Sequence, residues 1–230
     1  LKIIRDPATR TIGLENGEID FYAFENVPTN INRLKKNASL NVTPDGYAAI
    51  GPIDWLAFNT KSGKTADVNV RRAIAYAIDR NFILKAIMLG VADEARTGIH
   101  PGSPYYEPNV EAYDFDIDKA NKILDDAGYK KGSDGMRFGL TVDFGWPGLR
   151  PNAEYTKAAL KRIGIDVTVR QSADFPTWAQ TVSNHNFDLT WDTVFNWGDP
   201  VIGVHRTYQT SNIKKGVIWS NTQQYSNPKV

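Results

Sequence analysis

The chain has 230 residues, of which 41% are hydrophobic and 23% charged, and its formal net charge is +1. That is enough chain for one large domain with a sizeable core, and the near-neutral balance gives no ground for nucleic acid or an anionic membrane as a partner. The absence of cysteine excludes disulfides and thiolate metal sites, and no apolar run approaches the ~18 residues of a membrane span.

In chain order, residues 1–4 read as a strand. Asp6 followed by Pro7 is a helix start, an N-cap acid with proline at the first helical position, and that helix runs over 8–15 to a stop at Gly17. Residues 19–23 and 40–43 read as strands around a second helix over 28–36, with Ile31 and Leu34 facing inward. This alternation argues for α/β packing. Residues 47–59 form a long extended segment broken at Gly51-Pro52, and 61–66 a polar loop. A strong helix pattern follows. Asp67 or Asn69 caps it, and Val70, Ile74, Ala77 and Ile78 share one face. Asp79-Arg80 restarts a helix through Phe82, Ile83, Ile87 and Met88, closed by Gly90.

Residues 98–109 hold three prolines and two glycines and read as an irregular loop. Asp116 caps the next helix, whose apolar face is Ala120, Ile123, Leu124 and Ala127. Residues 137–144 read as a strand, Trp146-Pro147-Gly148 as a tight turn and 151–162 as a helix. A strand over 165–169 alternates Ile165, Val167 and Val169, and Asp174 caps a helix through Trp178 and Val182. The last strand, 187–194, breaks at Trp197-Gly198-Asp199-Pro200 into a helical stretch over 200–208.

The candidate site residues cluster at strand ends. Ligands of open α/β sheets sit outside the carboxyl ends of the strands, which makes Trp191, Asn196, Trp197 and Asp199 the leading ligand-binding candidates. Asp199 doubles as a cap for the helix after it. Trp146 and Arg150 occupy a second strand-to-helix turn, where an arginine can fork onto a ligand carboxylate. His100, Tyr105 and Tyr106 are candidates for a cleft rim, and His205-Arg206 read as helix-flanking. A competing hydrolytic reading places paired carboxylates at Asp188, Asp192 and Asp199, without a second supporting motif. His100, His185 and His205 lack metal-ligand spacing. There is no phosphate-binding glycine loop or nucleophile elbow, and Ser103 has no catalytic partner in sequence. Neither a metal nor a cofactor is expected.

Several motifs coincide in order: Glu15-Asn16-Gly17-Glu18-Ile19-Asp20, Leu56-Ala57-Phe58-Asn59-Thr60, Val70-Arg71-Arg72-Ala73-Ile74-Ala75-Tyr76-Ala77-Ile78-Asp79-Arg80, Asp118-Lys119-Ala120-Asn121-Lys122-Ile123-Leu124, Leu160-Lys161-Arg162-Ile163-Gly164-Ile165, Phe187-Asp188 with Asp199-Pro200, and Tyr225-Ser226-Asn227-Pro228. Over essentially the whole chain this order resembles the family 5 extracellular solute-binding proteins, the dipeptide- and oligopeptide-binding components of bacterial ABC importers. The resemblance implies an α/β, periplasmic-binding-protein-like lobe (type II), a mixed sheet flanked by helices. Residues 1–46 would be an edge segment of the first lobe, 47–59 the hinge crossing and entry strand, and 60–230 the second lobe, truncated at its end. The chain is thus read as a piece of a longer exported protein, periplasmic or on the extracellular surface. It would capture a small molecule or peptide in an interlobe cleft and pass it to a membrane permease, with no nucleic acid and no membrane span of its own. Isolated, the fragment is expected to bind weakly. A hydrolase, or a module self-associating through exposed apolar surface, are the alternatives.

One position departs from the family pattern. In its peptide-binding members an aspartate four residues before the turn's proline pairs with the peptide's amino terminus, because a desolvated ammonium needs an anionic partner. Here that position is Asn196, and an amide cannot neutralise an ammonium. The family carries peptides, nickel chelates, sugars and opines, so the ligand's identity stays open.

Overall fold

A computed structural model describes residues 2–229. The chain divides into two compact units, Leu1–Asp45 with Asn81–Glu94, and Gly46–Arg80 with Ala95–Val230. In the first unit, α1 (Pro7–Glu15) starts as its sequence predicts: Asp6 accepts from the Thr9 backbone N–H at 2.8 Å and Pro7 opens the helix. Arg33 of α2 (Pro28–Leu34) donates from Nε to Glu15 at 2.7 Å. The strands expected at 2–4, 19–23 and 40–43 do not form, and Leu1 lies outside the described residues. A strand persists only as part of a ladder. No β-ladder among the described residues includes these segments, so their β-like composition goes unused and Ile3 and Phe21 are exposed.

The second unit opens with a single turn, α3 (Tyr47–Ile50), then β1 (Pro52–Phe58) and α4 (Val68–Ala77). The expected extended run from 47 is thus helical for four residues before Gly51 turns it, with φ +54°. Asp67 caps α4 through the Asn69 N–H at 2.8 Å. The motif helix is core: Val70, Ala73, Ile74 and Ala77 are fully buried, and each large apolar side chain so placed contributes about 1.5–3 kcal/mol. The chain leaves by one helical turn, α5 (Arg80–Phe82), which continues as a π-helical turn over Ile83–Ile87 rather than the regular helix expected.

The rest of the second unit alternates α6 (Ile117–Asp126), β2 (Phe138–Phe144), α7 (Arg150–Lys161), β3 (Ile165–Gln171), α8 (Phe175–Ser183), β4 (Leu189–Phe195), α9 (Pro200–Gly203) and α10 (His205–Tyr208). The four strands form one mixed sheet in the order β1-β4-β2-β3. β2 is parallel to β3 and β4, and β1 is antiparallel to β4. The carboxyl ends of β2, β3 and β4 therefore share one edge with the entry to β1. Successive strand residues point to opposite faces, and β4 uses this to hold a helix on each side. Trp178 of α8 donates to Thr190 Oγ1 at 3.0 Å, while Trp191 donates to Thr156 Oγ1 of α7 at 2.9 Å. A mixed sheet flanked by helices is the architecture expected from the sequence.

Candidate functional site

The carboxyl edge of the sheet has two corners, because the strands are staggered. Phe144, the last residue of β2, pairs with Trp191 on one side and Gln171 on the other. β4 runs on past that level by the four residues 192–195, roughly 13 Å of strand. One corner thus lies at the ends of β2 and β3, the other at the end of β4 beside the start of β1.

Asn196 anchors the β4 corner. It is 2% exposed. Its Nδ2 donates to Gly51 O at 3.0 Å and Gly98 O at 3.3 Å, and its Oδ1 accepts from the His100 N–H at 2.8 Å. Its own N–H donates to Ile50 O at 2.9 Å, as does that of Trp197. Both amide hydrogens are spent on backbone, which corrects the expectation of an amide facing a ligand: Asn196 is the strut that ties β4's end to β1's entry and to the proline-rich loop. Gly203 makes the same corner close. A Cβ there would meet Phe195 O at 2.0 Å and Asn196 Cα at 2.6 Å, so only glycine lets α9 back onto the turn. Asp199 is exposed and accepts from the Val201 N–H at 2.8 Å, capping α9.

Trp197 alone among the four β4 candidates presents a large surface outward. It is 50% exposed, stacks on Phe195 at 5.2 Å, and adopts φ +52°, a left-handed conformation rare for an indole-bearing residue. Trp191 does the opposite. It is 5% exposed and, opposite Leu56 and Phe144 in the sheet's interior, belongs to the core. Its register corrects the expectation of a cleft-facing indole.

The β2–β3 corner is less spent. Trp146 is partly buried, edge-on to the fully buried Trp178 at 6.2 Å. Arg150 begins α7 with its side chain exposed, and among the described residues reaches Gln171 Oε1 at 3.4 Å and Glu154 at 3.7 Å. An exposed i,i+4 pair of that length contributes little, so the guanidinium is available to an anion. On the sheet's other face, Asp143 and Arg170 lock β2 to β3 by two hydrogen bonds of 3.1 and 2.7 Å. Burial pushes the Asp143 carboxyl up, against the pull of Arg170. Sequence reasoning missed two aromatic residues on the α8 side of this edge. Phe175 follows β3 at the first position of α8, where the rule that ligands gather at strand ends would have found it. Trp219 comes from a distant segment with no local signal, stacks on Phe175 at 5.9 Å, and also lines the hollow that holds Trp55 and Asp192 beside β1 and β4.

The aspartates of the hydrolytic reading have separate structural duties. Asp188 accepts from Thr141 N–H at 2.8 Å and Thr141 Oγ1 at 2.9 Å, and Asp199 is a cap. Asp192 lies opposite Trp55 in a hollow with Arg206, Thr207 and Thr222. Burial, helped by Asp54 and opposed by the Thr193 N–H and Arg206, pushes its carboxyl up to about 7. The Trp55 indole N–H is buried there without a partner. No cluster of three or more His, Asp or Glu side chains suited to a metal occurs among the described residues.

Comparison with known proteins gives a consistent picture. The model of "Bacterial extracellular solute-binding proteins, family 5 Middle" matches residues 1–218. The chain is 28% identical over 168 residues to the dipeptide-binding protein of Escherichia coli K12, covering 73% of this chain and 31% of that one. It is 28% identical over 132 residues to heme-binding protein A of Haemophilus influenzae, covering 57% and 23%. Its fold matches the periplasmic binding protein DppA of Helicobacter pylori, solved with the peptide STSA, with a TM-score of 0.84 at 23% identity over 99% of this chain and 43% of that one. The chain spans less than half the length of each.

Proposed function

The chain belongs to the family 5 bacterial extracellular solute-binding proteins, and from that footing we propose that it supplies one ligand-binding lobe of an ABC-importer component that captures a peptide and hands it to a membrane permease. Residues 1–46 serve as an edge of the first lobe, 47–59 as the crossing, and 60–230 as the second lobe. The break between Asp45 and Gly46 supports the first of these boundaries, while Asn81–Glu94, inside the second-lobe span, group with the first unit. The protein acts outside the cytoplasmic membrane; no helix among the described residues is long and apolar enough to cross one.

The observation that carries the reading is the β2–β3 corner. An accessible arginine at the start of α7, at the carboxyl edge of an α/β sheet, suits a ligand with a carboxylate, as a peptide's C-terminus has. Guanidinium and carboxylate match in a bidentate fork. Trp197 offers a second exposed ring at the other corner. The buried Asn196 strut holds that turn in shape, and the ligand's amino group finds its partner elsewhere. Native mass spectrometry of full-length protein as purified tests this. A bound peptide supports the reading; a bound porphyrin, metal chelate or sugar sinks it. The hydrolytic alternative loses its footing because Asp188 and Asp199 are bound to backbone N–H groups.

A further inference from the structure

Asn196 is spent on backbone, so a ligand ammonium near the end of β4 needs its anion from another strand. β1 carries one. Asp54 lies opposite Thr193 in the antiparallel ladder, and the Thr193 hydroxyl donates to Asp54 Oδ1, so the two side chains share one face of the sheet. Side chains alternate along a strand, which puts Phe195 on that face too, diagonal to Asp54 and about 7–8 Å from it. β2 ends level with Trp191, so Thr193 and Phe195 stand beyond it. Trp191 belongs to the same face, and its bond to Thr156 sets α7, with Arg150 at its start, over that face as well.

Asp54 is exposed, and the side chain that bonds it among the described residues is the neutral Thr193. The protein packed around its carboxyl pushes it up, and the Thr193 hydroxyl is what opposes the rise. Asp143 differs, since there a guanidinium, that of Arg170, offsets the loss of water. An acid set against protein with no cation beside it ionises at a cost, and a cation brought to it is held correspondingly well.

Two rings stand on the same ground. Trp197 stacks on Phe195 at 5.2 Å with 26° between planes, and is 50% exposed. Its φ of +52° lies in a region that costs a non-glycine residue energy and persists where the surroundings over-determine it. They do so here, because the N–H groups of Asn196 and Trp197 both donate to Ile50 O at 2.9 Å. The turn is fixed and the indole projects. Ring faces attract cations as well as apolar groups.

We propose that Asp54 is the anionic partner of a ligand's ammonium group, with the Phe195–Trp197 pair as the apolar ground beside it, so that β1 supplies the charge that Asn196 of β4 cannot. This rests on the peptide reading above and assigns its amino end: the site takes peptides with a free, protonated N-terminus and rejects N-blocked ones.

Calorimetry of the full-length protein with Ala-Phe and Ala-Ala-Phe, each free and N-acetylated, tests it. The free peptides are expected to bind about tenfold more tightly or better than their acetylated forms, the scale of a hydrogen bond to a charged group. Asp54→Asn keeps the side chain's size and its acceptor for Thr193 while removing the charge, so its thermal midpoint should match that of the wild type. It should bring the preference below about threefold and leave affinity for the acetylated peptides unchanged, a loss of discrimination that a role confined to holding Thr193 would not produce. Equal affinity of the wild type for free and acetylated peptides, or an undiminished preference in Asp54→Asn, overturns the assignment of Asp54 and leaves the peptide reading standing. Binding of none of the four peptides overturns both.

Discussion

The two corners of the sheet's carboxyl edge are built from the same materials and use them in opposite ways. At the end of β4 the polar atoms look inward: Asn196 spends its amide on Gly51, Gly98 and His100, and Asp199 spends its carboxylate on α9. At the ends of β2 and β3 the polar locking is done by Asp143 and Arg170 on one face of the sheet, which leaves Arg150 exposed at the start of α7 and Phe175 exposed at the start of α8. A polar side chain at a strand end is therefore weak evidence of ligand contact until its hydrogen-bond capacity has been counted. A buried group that is fully paired stabilises the fold, and an accessible one with poor partners has capacity to bind.

That contrast can be broken by mutation. The largest effect is expected at Gly203, whose Cβ would overlap the Phe195 carbonyl. Gly203→Ala should cost about 3 kcal/mol or more, because backbone cannot step aside as a flexible side chain can. Urea denaturation reads this, and a loss within experimental error would mean that α9 tolerates displacement. Next is Asn196→Ala, which strands the Gly98 carbonyl and the His100 N–H, leaves Gly51 O with the longer bond from the residue 196 backbone N–H, and should cost about 2–3 kcal/mol. If instead Asn196→Ala kept full stability but lost ligand, the strut would have to be reassigned as a ligand contact.

Asp192 adds a pH dependence to the β4 side. Its carboxyl is raised from 3.8 to about 7 in the folded chain, so between those values the folded form holds a proton that the unfolded form has released. Stability from this group is present at low pH and falls as pH rises through that window. Asp192→Asn should flatten this slope and stabilise the protein at about pH 8 by about 1–2 kcal/mol, leaving it nearly unchanged at about pH 4. Paired denaturation curves at the two pH values check it, and an unaltered slope would show that Asp192 is solvated. The smallest effect on folding belongs to Arg150→Ala, within about 0.5 kcal/mol, since its partners are exposed and loose. The same variant should weaken peptide binding about tenfold; unaffected binding would remove Arg150 from the site.

Much of the fold was legible locally. Asp6, Asp67, Asp116, Asp174 and Asp199 each precede a helix, and each accepts a backbone N–H in its first turn. The apolar spacing of Val70, Ile74 and Ala77 placed α4 in the core, as observed. These features depend on neighbours within a few residues, where side-chain period and capping chemistry act directly. The strands expected at 19–23 and 40–43 failed for the complementary reason: β-propensity describes fitness for a ladder, and a ladder needs a partner from elsewhere.

The sequence by itself determined the family, the cap-and-period pattern of the helices, and the strand ends at which Asn196, Trp197, Trp146 and Arg150 fall. It did so because those signals are local and the motif order is specific. Only the tertiary structure decided which of those residues have capacity left for a ligand. Asn196 is occupied because Gly51, Gly98 and His100 arrive from distant segments to meet it, and Trp191 is buried because strand register sets it opposite Phe144. Trp219 joins Phe175 across 44 residues of chain, and no local pattern encodes that meeting. Hydrogen-bond satisfaction and ring stacking are properties of pairs in space, so they become visible only once the chain has folded.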